Sequence, residues 1–284
     1  MENITIGVAG SGSMGKQLAL LFSSYGISVV LWNYRLHSSF PKDFKRLATI
    51  QSKLGYVDKE KIGNITGRVH YTDDMSSMSK CDLIVEAVTE DKLIKGEVLK
   101  QLDLILVKEK IIATNTSTLS ITELASFSRN PSRFLGMHFF NPPLSMKLVE
   151  VVRGEKTSEE SLNFVLQLLN KINKHPVVLP ETPGFVVNRL LFTMINEAVF
   201  MLAEGVSDAK TIDSCMRLGA NHPMGPLELA DLIGLDICLS ILETLVVDRG
   251  DVKYRAAPLL KEYVQAGKLG KKTGLGFYSY RKRA

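Results

Sequence analysis

Gly10-Ser11-Gly12-Ser13-Met14-Gly15 is the stretch on which the fold turns. Before it runs Ile4-Thr5-Ile6-Gly7-Val8-Ala9, a short apolar segment of strand type. After it comes a helical pattern with Leu18, Leu20, Leu21 and Phe22 on its apolar side. A second strand-like run follows, Ile27-Ser28-Val29-Val30-Leu31-Trp32. Strand, glycine turn, helix and strand make a βαβ unit. In that context a G-x-G-x-x-G string reads as a dinucleotide-binding fingerprint. Gly10 allows the tight turn, Gly12 lets a pyrophosphate approach the backbone, and Gly15 lets helix and strand pack closely. The pyrophosphate then meets the helix N-terminal amides, in the turn that Ser13 and Met14 begin.

The alternation continues along the chain. Residues 36–54 read as a helix whose start is interrupted by Pro41. Strands are expected at Arg68–Tyr71, Asp82–Ala87, Ile111–Thr114, Phe134–Phe139, Leu148–Val152 and Pro176–Leu179. Residues 91–106 have helical periodicity. Ser120-x-x-Glu123 and Thr157-x-x-Glu160 have the form of capping boxes that open helices. Such alternation predicts an α/β, Rossmann-type, doubly wound and mostly parallel sheet. At Pro180-Glu181-Thr182-Pro183-Gly184 the character changes, which suggests a domain boundary. Helices are expected beyond it at 185–204, 208–218, 226–247 and 256–266. The reading is a dinucleotide-binding domain over 1–182 and an all-α domain over 183–284.

Composition narrows the classes. The 284 residues are 45% hydrophobic and 23% charged, which excludes disorder, collagen and a small disulfide scaffold for the whole chain. Cys81, Cys215 and Cys238 are far apart and form no Cys-x-x-Cys pair, so no metal site is expected and a reducing cytoplasm fits best. The start, Met1-Glu2-Asn3, lacks the pattern of a signal peptide. The longest apolar region, Leu190–Leu202, contains Asn196 and Glu197 and is too short to span a bilayer. Between Arg249 and Ala284, ten Lys and Arg against two Asp and Glu give a local +8, although the whole chain is only +5. A basic end is a solvated tail or a surface for a polyanionic ligand or acidic partner. No nucleic-acid motif accompanies it.

The second strand ends in Trp32-Asn33-Tyr34-Arg35. A site for NAD typically places Asp or Glu here for the ribose 2′-hydroxyl, whereas a nearby Arg accommodates a 2′-phosphate. Neutral Asn33 followed by Arg35 leans toward NADP. NAD held by an Asn33 hydrogen bond is the alternative.

His138 ends a strand in Gly136-Met137-His138-Phe139-Phe140-Asn141, and Glu150 lies inside the apolar run Leu148–Val152. Each could be structural: a core histidine, and an acid paired with a nearby cation. A carboxylate can also orient an imidazole and stabilise its protonated form. Beside a dinucleotide site, that pair suits removal of a hydroxyl proton as hydride leaves.

The sequence resembles the L-3-hydroxyacyl-CoA dehydrogenase family, and bacterial 3-hydroxybutyryl-CoA dehydrogenases above all. The likeness runs nearly end to end: GSGSMG at 10–15, VEAVTE at 85–90, NTSTLSITE at 115–123, GMHFFNPP at 136–143, KLVEVVRG at 147–154, PGFVVNR at 183–189, LGANHPMGPLELAD at 218–231, IGLDICL at 233–239 and GLGFYSY at 274–280. The resemblance implies an oxidoreductase of fatty acid metabolism acting on an acyl-CoA thioester. His138 would be the base and Glu150 its partner. Ser117 and Asn188 would hydrogen-bond the substrate oxygen, with Asn141 beside the substrate. Glu90, Lys95 and Asn115 would lie along the cofactor, and His222 would join helices. The helical domain would make a homodimer.

Two departures stand out. Asn33 replaces the family's usual Asp. Residues 34–67 match poorly where the family has a CoA-binding arm, although Lys42, Lys45, Arg46, Lys53, Lys59 and Lys61 still supply cations. A related branch oxidises hydroxyacyl groups on acyl carrier proteins, as in making hydroxymalonyl-type extender units, and an acidic carrier would suit the basic end. A non-catalytic, cofactor-binding structural protein is the alternative of another class.

Overall fold

The computed structural model describes residues 4–107 and 109–280. The chain divides into two compact units, Met1–Thr182 and Pro183–Ala284. Met1–Asn3, read above for a leader, and Arg281–Arg283 of the basic end lie outside the described residues.

The first unit contains β1 (Thr5–Ala9), α1 (Ser13–Ser24), β2 (Ser28–Trp32), α2 (Phe40–Lys53), α3 (Ile62–Gly67), β3 (Val69–Thr72) and β4 (Leu83–Glu86). It continues with α4 (Lys92–Ile105), β5 (Ile111–Thr114), α5 (Ile121–Ala125), β6 (Phe134–Phe139), β7 (Leu148–Arg153), α6 (Glu159–Lys171) and β8 (His175–Pro180). The strands form one sheet in the order β3-β2-β1-β4-β5-β6-β7-β8. All neighbours are parallel except β6 and β7. The order reverses between β1 and β4, and such a switch point leaves a crevice at the carboxyl ends of the strands. β4, β5 and β6 are buried at every residue, so their sequences are nearly unbroken apolar runs. The core joins Val8, Phe22, Leu31, Val85, Leu135 and Val151 from these layers.

Two local expectations change. Pro41 does not interrupt a helix: it sits in the first turn of α2, where a missing N–H costs nothing. The cap of α6 is Ser158, which accepts from Ser161 N at 3.1 Å, and not Thr157. The Thr157 hydroxyl donates instead to Phe134 O at 2.7 Å and accepts from Gly154 N at 2.9 Å. Ser120 caps α5 as the sequence suggests, accepting from Glu123 N at 3.0 Å.

The second unit consists of α7 (Val187–Ala203), α8 (Ala209–Gly219), α9 (Pro226–Ile233), α10 (Leu235–Arg249) and α11 (Pro258–Gln265). Phe192, Val199, Leu227, Leu235 and Leu242 build its core. The helix expected over 226–247 is two helices, because Gly234 takes φ 111°, outside the helical region and open to glycine alone. The helix expected from Phe185 begins at Val187, and Phe185 itself has φ 49°. Two buried acids organise this unit. Asp213 accepts from the amides of Leu227 and Glu228 and from the Tyr278 hydroxyl at 2.7–2.9 Å. Asp231 accepts from the amides of Phe277 and Tyr278, both at 2.9 Å, and from the Tyr280 hydroxyl at 3.1 Å. Among the described residues no helix is long and apolar enough to cross a membrane.

Candidate active site

A cleft of about 500 Å³ opens at the carboxyl ends of β1, β2 and β4, lined by Gly10, Gly12, Asn33, Tyr34, His37 and Val88 among others. A Cβ on Gly10, which has φ 113°, would stand 2.6 Å from Ala87 O, and one on Gly15 would stand 1.8 Å from Gly10 O. A Cβ on Gly12 would meet nothing within 4 Å. The first and third glycines therefore serve close packing, while Gly12 keeps free the space that a pyrophosphate requires. Gly12 is the N-cap of α1 without a side-chain cap, and the first turn, begun by Ser13 and Met14, has no acid. Its amides can receive an anion.

Asn33 fastens the two loops of the cleft. Its Oδ1 accepts from Ser11 N at 3.4 Å and its Nδ2 donates to Arg35 O at 2.7 Å. Arg35 O also accepts from the Tyr71 hydroxyl at 3.2 Å, which leaves the exposed guanidinium over the Tyr34 ring.

Behind Val88 lies an ionic cluster. Glu86 ends β4 fully buried, and Lys95 of α4 is 1% exposed. Lys95 Nζ is 2.8 Å from Glu86 Oε1 and 3.2 Å from Glu90 Oε2. Glu86 also accepts from Val88 N at 2.7 Å and from the Thr114 hydroxyl at 2.6 Å. Glu90 Oε1 accepts from the Thr116 hydroxyl at 2.6 Å and from Ser117 N at 2.7 Å. Burial pushes the Glu90 carboxyl up, but Lys95, Thr116 and the Ser117 amide outweigh it and hold the group below its usual range. Lys95 thus faces two carboxylates from within the wall, and Glu90 fixes the backbone of half-buried Ser117.

His138 and Glu150 come together. They are register partners across β6 and β7, and His138 Nδ1 lies 2.7 Å from Glu150 Oε2 with both side chains buried. Phe140 packs on the imidazole with ring centroids 4.6 Å apart. Asn115 Oδ1 accepts from Phe139 N at 3.0 Å, tying the end of β5 to the strand that carries His138. Exposed Asn141 accepts from Gln17 Nε2 of α1 at 2.8 Å. Asn188 lies in the second unit, buried in the first turn of α7.

Sequence reasoning overlooked Glu86, Gln17 and Lys174. Lys174 is buried, and its ammonium donates to Pro143 O at 2.5 Å and Met146 O at 2.9 Å, closing the turn between β6 and β7. Burial depresses its pKa. Glu86 carried a usable signal: like Glu150, it is an acid in an apolar strand and needs a partner. Among the described residues no group of His, Cys, Asp and Glu could hold a metal ion.

The 3-hydroxyacyl-CoA dehydrogenase NAD binding domain matches residues 5–182, and the C-terminal domain of the same family matches 184–280. The chain belongs to the 3-hydroxyacyl-CoA dehydrogenase family. This dehydrogenase is 47% identical to the 3-hydroxybutyryl-CoA dehydrogenase of Clostridioides difficile, over 98% of its own length and 99% of that protein. It is 36% identical to the mitochondrial hydroxyacyl-coenzyme A dehydrogenase of Sus scrofa, with 96% and 90% covered. Among solved structures, (S)-3-hydroxybutyryl-CoA dehydrogenase PaaH1 from Ralstonia eutropha superposes with a TM-score of 0.91 at 40% identity, covering 99% of this dehydrogenase and 100% of that chain.

Proposed function

We propose that this dehydrogenase interconverts a short-chain 3-hydroxyacyl-CoA, 3-hydroxybutyryl-CoA in type, and the corresponding 3-oxoacyl-CoA. The buried His138–Glu150 pair carries this reading. Glu150 accepts the proton on Nδ1, so the basic lone pair of a neutral His138 is on Nε2. A nicotinamide dinucleotide bound over Gly12 supplies the hydride acceptor in oxidation and the donor in reduction. Nε2 takes the C3 hydroxyl proton in oxidation and returns one to the C3 oxygen in reduction. Glu150 holds the ring in place and offsets the charge of the imidazolium. Ser117, anchored through Glu90, hydrogen-bonds the substrate oxygen. Asn188 and Asn141 are assigned as further substrate ligands.

NADP is the favoured cofactor in this reading. Asn33 offers no carboxylate to a ribose, none of the residues lining the cleft is acidic, and Arg35 is exposed beside it. Exposed Lys42, Lys45 and Arg46 on α2 provide cations for the phosphates of CoA. Assembly as a homodimer through the helical unit and a cytoplasmic location complete the proposal; its free cysteines fit a reducing compartment.

Reduction of acetoacetyl-CoA, with NADPH and NADH in parallel, tests it. Fast turnover is expected, with NADPH at the higher kcat/KM. Cofactor binding without any turnover would move the substrate to a thioester on an acyl carrier protein.

A further inference from the structure

Lys95 needs one carboxylate for neutrality and has two. Its ammonium is 2.8 Å from Glu86 and 3.2 Å from Glu90, so the cluster carries one negative charge in excess. No spare cation cancels it at this corner among the described residues. Lys92, at the start of α4, pairs with Glu123, and the neighbouring Asp91 adds a further carboxylate that caps Ile94 N at 2.9 Å. The excess charge stands one residue behind the cleft wall. Val88 lines the cleft, its N–H donates to Glu86 at 2.7 Å and its carbonyl accepts from Lys95 at 3.4 Å. The cluster also has a direction. In a doubly wound sheet the adenosine ribose of a dinucleotide belongs at the end of β2, where Asn33 stands. Glu86, Glu90 and Thr114, at the ends of β4 and β5, are then the residues that would stand toward a nicotinamide half.

An oxidised nicotinamide ring is a cation and a reduced one is neutral. We propose that the Glu86–Lys95–Glu90 cluster selects the oxidation state of the bound cofactor by favouring the cationic, oxidised form. The inference rests on the dinucleotide reading of the cleft. A bias toward oxidised cofactor favours hydride passing to the C3 carbonyl carbon while His138 gives its proton to the oxygen, so reduction of the 3-oxoacyl group is the direction assisted. Glu90 is set up for this role: it is ionised, and four donors together with Lys95 fix its carboxylate.

The test is the ratio of dissociation constants for oxidised and reduced cofactor. Binding is followed through the emission of Trp32, the only tryptophan and part of the cleft wall. Glu90→Gln keeps a carbonyl oxygen for the Thr116 and Ser117 donors and removes the charge. It should weaken the oxidised form more than the reduced form, moving the ratio by about threefold or more, as expected for a partly screened fixed charge. Glu86→Gln, with the other carboxylate neutralised, should move it the same way. An equal loss for both forms in both variants would mean that the cluster only holds the loop, and would overturn the inference. Failure of the unaltered protein to bind either form would instead overturn the dinucleotide reading.

Discussion

His138 Nδ1 and Glu150 Oε2 stand 2.7 Å apart because β6 and β7 run antiparallel and bring these two residues into direct register. Residues opposite each other on such a ladder put their side chains on one face. Only residues 140–147 connect the two strands, too few for the crossover of a dozen residues or more that a parallel return needs, so the return is antiparallel. Lys174 holds the turn that makes the return.

Loss of the carboxylate should therefore damage rate and not folding. Glu150→Gln leaves the strand pairing intact but allows the wrong imidazole tautomer. A fall in kcat of about 10²–10⁴-fold is expected, comparable with other orienting carboxylates. His138→Ala should reach a similar floor. Steady-state kinetics alongside thermal unfolding would check both. A variant with unchanged kcat would remove the pair from the mechanism.

The glycines of the fingerprint should separate by what they fail. Gly12→Ala adds a methyl where nothing lies within 4 Å, so the melting temperature should hold. Cofactor affinity should still drop by about tenfold or more, since the methyl occupies the pyrophosphate path. Gly15→Ala drives Cβ to 1.8 Å from Gly10 O. That overpacking should cost about 1–3 kcal/mol or more in a urea titration.

Cofactor preference should follow charge at the end of β2. Asn33→Asp supplies a ribose acceptor, repels a 2′-phosphate, and forfeits the Nδ2 donor that holds Arg35 O. The ratio of kcat/KM for NADPH over NADH should fall by about tenfold or more, which is one pK-unit equivalent of differential interaction. Arg35→Ala should weaken NADPH alone. If NADH is already preferred by the unaltered protein, the role given to Arg35 is wrong.

Asp103 should govern part of the acid stability of the first unit. Burial pushes its carboxyl up, but Ser128, Arg129 and Arg133 outweigh it, with oxygens at 2.5–2.6 Å from their donors, and take the group down to about 2. An unfolded Asp titrates near 3.9. Because the folded value is the lower one, the stabilisation is complete above pH about 4 and is lost as pH falls toward about 2. Asp103→Asn should destabilise by about 2 kcal/mol at pH 7, with the gap closing near pH 2. Urea titrations at the two pH values measure it, and a constant gap would contradict the assignment.

Much of the architecture was legible because local and tertiary preferences agree. Ile111–Thr114 is a strand in sequence and in space, since a short β-branched run between polar ends has few other uses. Ser120 caps its helix as read. Thr157 misled because Ser158 beside it has the same capping chemistry, and the choice fell to the hydroxyl that was not needed by Phe134 O. The break at Gly234 was hidden by apolar residues on both sides of it that continue a helical pattern.

By itself, the sequence determined a doubly wound sheet built around Gly10–Gly15, a helical segment beyond Pro183, and a short list of chemically able residues that includes His138 and Glu150. Those features depend on neighbours within a few positions, where backbone sterics and hydrophobic period act directly. Tertiary structure decided the partners. Lys95 was expected to lie along the cofactor, and folding also places its ammonium between Glu86 at the end of β4 and Glu90 in the loop that follows. Gln17 reaches Asn141 across 124 positions, and Asp103 gathers Ser128, Arg129 and Arg133 from a separate loop. A buried charge must find its counterpart in space, and strand order, which no local pattern encodes, settles which counterpart that is.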